Sequence, residues 1–288
     1  MKLSVIICTY NRNSVLCNTI QMLLGQLNDE FEIIVIDQST THDVYTTNFL
    51  DSITDKIVYV SLETPNLPMA RNIGLKKAKA DCVLFLDDDV VIENDFIAKT
   101  IDAFELNLSI HAFTGLSYSS NGNERDQWNL VPHADKQYSF NAYPTNSIPG
   151  YFMAFRKNII FEIGLFDEWI GTQPHASFED GEICIRLKLA KCNISVIPYS
   201  TLIHLAELNG GCEVRVDYNL NKELKVFNQY RMYLYGLKKN KKLFSRYRYL
   251  IEFLRFYKSY YVSTSFNFPR FVKVLLSIIK MNKSLKLR

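Results

Sequence analysis

Carboxylates stand where chemistry could use them at three places in this chain. Asp87-Asp88-Asp89 follows the apolar segment CVLFL without a break, Asp37 ends the apolar segment Phe31–Ile36, and Glu179-Asp180-Gly181-Glu182 opens a helical pattern. Three carboxylates crowded at the end of a buried segment repel one another and resist ionising together. A hard divalent cation removes that penalty, and Mg²⁺ or Mn²⁺ held by one or two carboxylates plus phosphate oxygens is common chemistry. A solvated acidic turn, or the cap of a following helix, would display the same run. At Asp180 the helix dipole would lower the pKa while Glu179 and Glu182 would raise it, and the residues alone leave the net direction open. His204, in Ser-Thr-Leu-Ile-His-Leu, is a lone histidine on an apolar stretch, ordinarily a satisfied core residue.

The elements that must hold these groups follow from periodicity. Leu3–Cys8, Phe31–Ile36, Ile57–Val60 and Cys82–Leu86 are short, β-branched-rich runs, and helical patterns over about 14–27, 43–53 and 68–79 separate them. That alternation predicts βαβ units and a parallel sheet buried on both faces. In such sheets ligands bind outside the carboxyl ends of the strands, which selects Thr9-Tyr10-Asn11, Asp37 and Asp87–Asp89. A helix is expected over 94–106, with Asn94 as its cap and Asp95 in its first turn. Ala112–Leu116 reads as a strand and 117–148 as a long loop, followed by an apolar patch at Gly150–Phe155 and a short helix stopped by Gly164. A helix over about 179–191 and a strand Ile194–Ile197, ended by Pro198, complete the body.

With 48% hydrophobic and 22% charged residues in 288, the chain has ample material for a core. Its charge is uneven. Residues 217–288 hold 17 Lys/Arg against three acids, a net of +14, and the 216 residues before them hold 16 against 27, a net of −11. Nine of the 17 tyrosines also lie beyond residue 217. A basic, aromatic, helical extension of this kind suits an anionic membrane surface, with packing on the body or oligomerisation through its helices as the alternatives. The acidic body argues against nucleic acid. Six cysteines without framework spacing, and an N-terminus without signal-peptide character, place the expected location in the cytoplasm, peripheral on the inner face of the cell membrane.

The segments LSVIICTYNR, IVIDQST, PNLPMARNIGLKKAKADCVLFLDDD, and FED before GEIC occur in an order that resembles glycosyltransferase family 2 over residues 3–210. The resemblance implies an α/β fold of GT-A type: a Rossmann-like mixed sheet flanked by helices, here with the basic helical C-terminal extension. It divides the chain into a catalytic domain, 1–216, and the extension, 217–288. Within the first, 1–116 would bind the nucleotide-sugar and 117–216 the acceptor. It implies an inverting, metal-dependent transfer from a nucleoside diphosphate sugar donor to a saccharide or lipid-linked saccharide hydroxyl, as in bacterial surface polysaccharide or glycolipid synthesis. By position, Thr9, Tyr10, Asp37, Arg71, Asp87 and Asp88 would surround the donor, with Asp37 receiving an N–H from its base. Asp89 and His204 would hold Mn²⁺ or Mg²⁺, and Asp180 would be the general base. Glu179 and Trp169 are weaker candidates for acceptor contact. Gln38 stands where the family pattern usually has Gly or Asn, and Glu182 where it often has a second Asp. A haloacid dehalogenase-like phosphohydrolase also fits Asp-Asp-Asp-Val after a strand, but leaves Thr9, Asp37 and Ala-Arg-Asn-Ile-Gly unexplained. A non-catalytic nucleotide-sugar-binding scaffold is the third alternative.

Overall fold

The computed structural model describes residues 1–119, 142–145, 147–172, 178–207 and 210–211, with 272 and 276 as helical positions beyond them. The first half alternates as its periodicity requires: β1 (Leu3–Thr9), α1 (Ser14–Leu24), β2 (Phe31–Asp37), α2 (Val44–Ser52), β3 (Ile57–Ser61), α3 (Leu67–Lys77) and β4 (Cys82–Leu86). β5 (Val90–Ile92), α4 (Phe96–Leu106), β6 (Ala112–Ser119) and β7 (Tyr143–Pro144) follow. The described chain closes with β8 (Phe152–Arg156), α5 (Lys157–Glu162), α6 (Glu168–Gly171), α7 (Glu179–Leu189) and β9 (Ile194–His204). The extension from 217 onward, with the expectations attached to it, lies outside the described residues except for those two helical positions.

One sheet runs in the order β3-β2-β1-β4-β8-β6-β9-β5, with β7 paired to β9. β3, β2, β1 and β4 are parallel; β8 runs antiparallel to β4, and β5 and β7 antiparallel to β9. The sheet is therefore mixed, and it continues across the expected division at residue 116.

Both faces are buried, as the unbroken apolar strands demand. Val5 and Ile7 of β1 join Leu16 and Ile20 of α1 and Phe96 and Ile101 of α4 on one side. The intervening Ile6 joins Leu75 of α3, Ile160 of α5 and Ile183 of α7 on the other. Gly74 lets α3 settle on β1, since a Cβ there would lie 2.4 Å from the Ile6 side chain. The Asn66 side chain caps α3 by accepting from Met69 N, and Asp43 caps α2 by accepting from Thr46 N.

Three expectations are corrected. The N-cap position of α4 is Asp95 rather than Asn94, without a capping hydrogen bond from its side chain, and the Asn94 carbonyl accepts from Leu27 N at 2.9 Å. β6 and β7 occupy part of the segment read as a loop. Pro198 does not end its strand. Gly115 of β6 pairs with Ile197 and Leu116 with Thr201, so Pro198, Tyr199 and Ser200 bulge out of the ladder. Proline needs no ladder N–H within a bulge, and β9 resumes to carry His204.

Candidate active site

The acidic turn after β4 distributes its carboxylates in different directions. Asp88 turns inward: its Oδ2 accepts from Thr9 Oγ1 at 2.5 Å and its Oδ1 lies 3.4 Å from Arg12 Nε. Burial, opposed by Arg12 and Thr9, pushes the Asp88 carboxyl up to about 7. Thr9 is equally buried, with its hydroxyl committed to Asp88. Asp89 divides its two oxygens. Oδ2 accepts from Glu207 N at 2.9 Å and lies 3.4 Å from Arg12 Nη2, while Oδ1 lies 3.2 Å from His204 Nε2. Burial works against its ionisation, but His204, the Glu207 amide and Arg12 outweigh it and hold the carboxyl below its ordinary range. Asp87 is the more open member, its side chain 38% exposed and its Oδ2 3.7 Å from His204 Nε2. Its confined surroundings, and then Asp89, push its carboxyl upward.

Topology explains how His204 arrives. β5 begins immediately after the acidic turn, and its first residue, Val90, pairs with His204 of antiparallel β9. The His204 ring stacks on Tyr151, with centroids 4.5 Å apart, and the Tyr151 hydroxyl lies 2.6 Å from Ser117 Oγ. One ligand atom from each of Asp87, Asp89 and His204 falls within 4.8 Å of the others. Two carboxylate oxygens suit Mn²⁺ or Mg²⁺, and an imidazole nitrogen is a further donor of ordinary metal chemistry. The set therefore fits a divalent cation, with Asp89 oriented from behind by Arg12 and the Glu207 amide.

A second cluster gathers at the start of α7. Arg71, buried in α3, donates to Glu179 Oε1 at 2.8 Å and to the Gly150 carbonyl at 3.2 Å, with its guanidinium over the Phe85 and Phe166 rings. Glu179 is thus the partner of a buried cation. Asp180 accepts from Gly150 N at Oδ2, 3.0 Å, and from Gly181 N at Oδ1, 2.7 Å. Burial first and Glu179 second push it up to about 6, against the pull of Arg71 and the two amides. Glu182 points away, to a buried pairing with Arg186 that also ties α7 to the Ile163 carbonyl. Before Asp180 the chain is strained: Phe178 has φ 133°, and its ring folds over Gly181, where a Cβ would lie 2.2 Å from it.

The two clusters are joined by residues that the sequence did not single out. Gly150 N donates to Asp180 and its carbonyl accepts from Arg71, while the next residue, Tyr151, stacks on His204 and accepts from Asp87 N at 3.3 Å. A Cβ on Gly150 would lie 3.1 Å from Arg71 Nη2 and 3.6 Å from Asp180 Oδ2. Arg12 closes the segment LSVIICTYNR and Gly150 opens an apolar patch, but neither was a candidate site residue, since their importance is a matter of what converges on them. Asp37, at the end of β2, is held by His42 and Tyr59, and half-buried Tyr10 accepts from Gly211 N at 2.7 Å. Trp169 stands on α6, whose Glu168 carbonyl accepts from the Asn66 side chain at the start of α3.

Comparison with known proteins agrees with this architecture. Residues 4–164 match the family model described as glycosyl transferase family 2. An uncharacterised glycosyltransferase of Rickettsia conorii is 32% identical over 113 residues, 39% of this chain and 19% of that protein. The glycosyltransferase GlyA of Streptococcus pneumoniae is 28% identical over 127 residues, 43% of this chain and 18% of its own length. The matched region thus spans about a fifth of these relatives. GalNAc-T7, solved with UDP, GalNAc and Mn²⁺, superposes with a TM-score of 0.59 at 19% identity, covering 72% of this chain and 43% of that one. Residues 1–349 of S. aureus TarS, solved with UDP-GlcNAc, give 0.59 at 20% identity over 79% and 66% of the two chains. The fold is that of the GT-A glycosyltransferases. With a family model matched over more than half its length, the chain belongs to glycosyl transferase family 2.

Proposed function

We propose that this chain is a divalent-metal-dependent, inverting glycosyltransferase that moves a sugar from a nucleoside diphosphate sugar to a hydroxyl of a saccharide or lipid-linked saccharide. Bacterial surface polysaccharide or glycolipid synthesis is the setting proposed, with 1–116 as the donor half and 117–216 as the acceptor half. Asp87, Asp89 and His204 would hold Mn²⁺ or Mg²⁺. Bound there, the cation supplies positive charge to a leaving diphosphate. Asp180 takes the acceptor hydroxyl's proton as its oxygen bonds to the anomeric carbon and the bond to the diphosphate breaks. A hydroxyl is a poor nucleophile until a positioned base removes that proton, and a carboxyl titrating near 6 is ionised at neutral pH yet more basic than an ordinary aspartate. Thr9, Tyr10 and Asp88 support the donor floor, and Arg71 anchors Glu179 beside the base.

The observation that carries the reading is the Gly150–Tyr151 link. It fastens the proton-accepting carboxylate and the cation-directed cluster to consecutive residues, as a reaction at one centre between them requires. Solved neighbours with UDP-sugar, or with UDP and Mn²⁺, support the donor class.

The test uses the full chain with UDP-, GDP- and dTDP-sugars. Asp89→Ala should abolish Mn²⁺-dependent nucleotide binding, and transfer should vanish in excess chelator and return with Mn²⁺. Transfer that persists in chelator sinks the metal assignment.

A further inference from the structure

Glu179 and Asp180 are consecutive carboxylates at the start of α7, the first buried and the second half-buried. Two such neighbours resist ionising together unless a positive charge stands between them. Arg71 is that charge. It belongs to α3, is 3% exposed, and lies on the other side of the expected division at residue 116. Its Nη1 donates to Glu179 Oε1 at 2.8 Å and its Nη2 to the Gly150 carbonyl at 3.2 Å. The Phe85 and Phe166 rings flank the guanidinium, with centroids 5.9 and 5.4 Å away. The other Glu179 oxygen accepts from Phe178 N at 3.1 Å, so the same carboxylate pins the residue whose φ is 133°.

These groups converge over one glycine. A Cβ on Gly150 would lie 3.1 Å from Arg71 Nη2, 3.6 Å from Asp180 Oδ2 and 3.7 Å from Glu179 Oε1. Gly150 is held from both ends, its carbonyl by Arg71 and its amide by Asp180 Oδ2 at 3.0 Å. Two thiols also face the cluster: Cys184, one turn along α7 from Asp180, and Cys8 of β1, near Arg71 and Glu179. Burial pushes both up to about 12, which keeps them neutral. Asp87 faces Arg71 and Glu179 from the turn after β4. At close range Asp180 therefore feels one anion and one cation, with opposite effects on its proton.

We propose that Arg71 is a positioning residue for the base: it cancels the Glu179 charge beside Asp180 and, through the Gly150 carbonyl, keeps the Gly150 amide on the Asp180 carboxylate. The proposal rests on the reading of Asp180 as general base. Where the resemblance would set Arg71 around the donor, its two terminal nitrogens here meet residues of the acceptor half. Without Arg71, Glu179 and Asp180 compete for ionisation, and the pair keeps a proton to higher pH. Without the Glu179 charge, Arg71 acts on Asp180 unopposed, and the proton leaves at lower pH. The two substitutions thus move one carboxyl in opposite directions, which a loss of packing would not do.

Carbon NMR of the full chain, labelled at its aspartate carboxyls, follows Asp180 without any substrate, its resonance identified by loss in Asp180→Asn. The wild type should titrate near 6. Arg71→Met should move the midpoint to about 7, tenfold in proton affinity, and Glu179→Gln should move it below 6. Arg71→Lys, which keeps the charge, should return it most of the way. Should Arg71→Met not fold, Arg71→Met combined with Glu179→Gln removes the buried pair together, and it should titrate higher than Glu179→Gln alone. The acid limb of kcat/KM for nucleoside diphosphate release from UDP-, GDP- or dTDP-sugar, with water as acceptor, should follow the carboxyl. KM and Mn²⁺-dependent nucleotide binding should hold. If nucleotide binding is lost in Arg71→Met while the Asp180 midpoint stays, Arg71 serves the donor and the proposal is overturned. An active wild type whose Asp180 titrates the same with and without Arg71 removes the role of Arg71 alone. A wild type that releases nucleotide from none of the three donors removes the transferase reading, and the base with it.

Discussion

Asp180 is held by two amide N–H groups yet titrates near 6, because burial and the adjacent Glu179 outweigh what those amides, Arg71 and the start of α7 contribute. Two consequences have opposite signs. A base must be ionised to act, so kcat/KM should fall as pH drops through about 6. Stability runs the other way. The folded carboxyl titrates above its ordinary 3.8, so the fold disfavours the charged form and loses stability as pH rises from about 4 through about 6. Asp180→Asn should therefore lower turnover about 10²- to 10⁴-fold while leaving donor binding intact. It should also raise Tm at pH 7.5 relative to wild type, with the gain vanishing near pH 4; steady-state kinetics and a thermal melt at the two pH values check both halves. Full activity in Asp180→Asn would remove the base assignment. Arg12 makes a second case at this scale. Its guanidinium lies 3.4 Å from both Asp88 Oδ1 and Asp89 Oδ2, and so orients the Asp89 oxygen that faces His204. Arg12→Ala should weaken Mn²⁺ about 10- to 100-fold, as loss of an outer partner does. Titration of the metal alone reads this, and Arg12→Lys should recover part of the affinity.

At the scale of elements, His204 depends on a strand that survives its own proline. The bulge at Pro198–Ser200 brings β9 so close to β6 that a Cβ on Gly115 would lie 1.8 Å from the Ser200 carbonyl oxygen and 2.5 Å from the Phe152 ring. Backbone cannot yield as a flexible side chain can. Gly115→Ala should destabilise by roughly 3 kcal/mol, the upper range for overpacking, and should weaken Mn²⁺ binding because β9 carries His204 beyond the bulge. Equal metal affinity in a folded Gly115→Ala would show that the bulge does not set the His204 position. The same bulge shows why this half of the fold was harder to read than the first. β1 to β4 advertise themselves by apolar runs of strand length between amphipathic helices, and the topology then directs attention to their carboxyl ends, where Asp37 follows β2 and Asp87–Asp89 follow β4. Pro198 signals a strand end by local chemistry, and only pairing with Gly115 and Leu116 shows that the missing N–H costs nothing there. β5 is three residues long, too short to show alternation, although its pairing delivers His204 to Asp89. Asp87, Asp89 and His204 were legible as donor types. Gly150, Tyr151 and Arg12 were not, since a backbone amide, a stacked ring and a buried guanidinium acquire meaning only from neighbours distant in sequence.

Taken whole, the molecule joins an acidic body to a basic extension: −11 over residues 1–216 and +14 over 217–288. The acidic turn after β4 and the carboxylates at the start of α7 account for part of the negative charge, and nothing in the chemistry proposed for them calls for the positive. No described helix is long and apolar enough to cross a membrane. A lipid-linked acceptor would nevertheless have to be met at a bilayer surface, and Lys and Arg interleaved with Tyr, Phe and Leu are the residues that bind one. Each basic side chain near an anionic surface contributes about 1 kcal/mol, while aromatic residues settle at the headgroup level. We therefore predict that the full chain co-sediments with vesicles rich in anionic phospholipid and not with zwitterionic ones. Binding should weaken sharply toward about 0.5 M salt, where the screening length falls to a few ångströms. Replacing the four lysines Lys238, Lys239, Lys241 and Lys242 by Gln should reduce vesicle binding without altering Mn²⁺ affinity, because the acidic turn is built entirely from residues of the body. Equal partition to both kinds of vesicle, or a salt-independent one, would mean that the positive charge serves packing on the body or self-association. In that case sedimentation of the same variant should show a change in mass or shape.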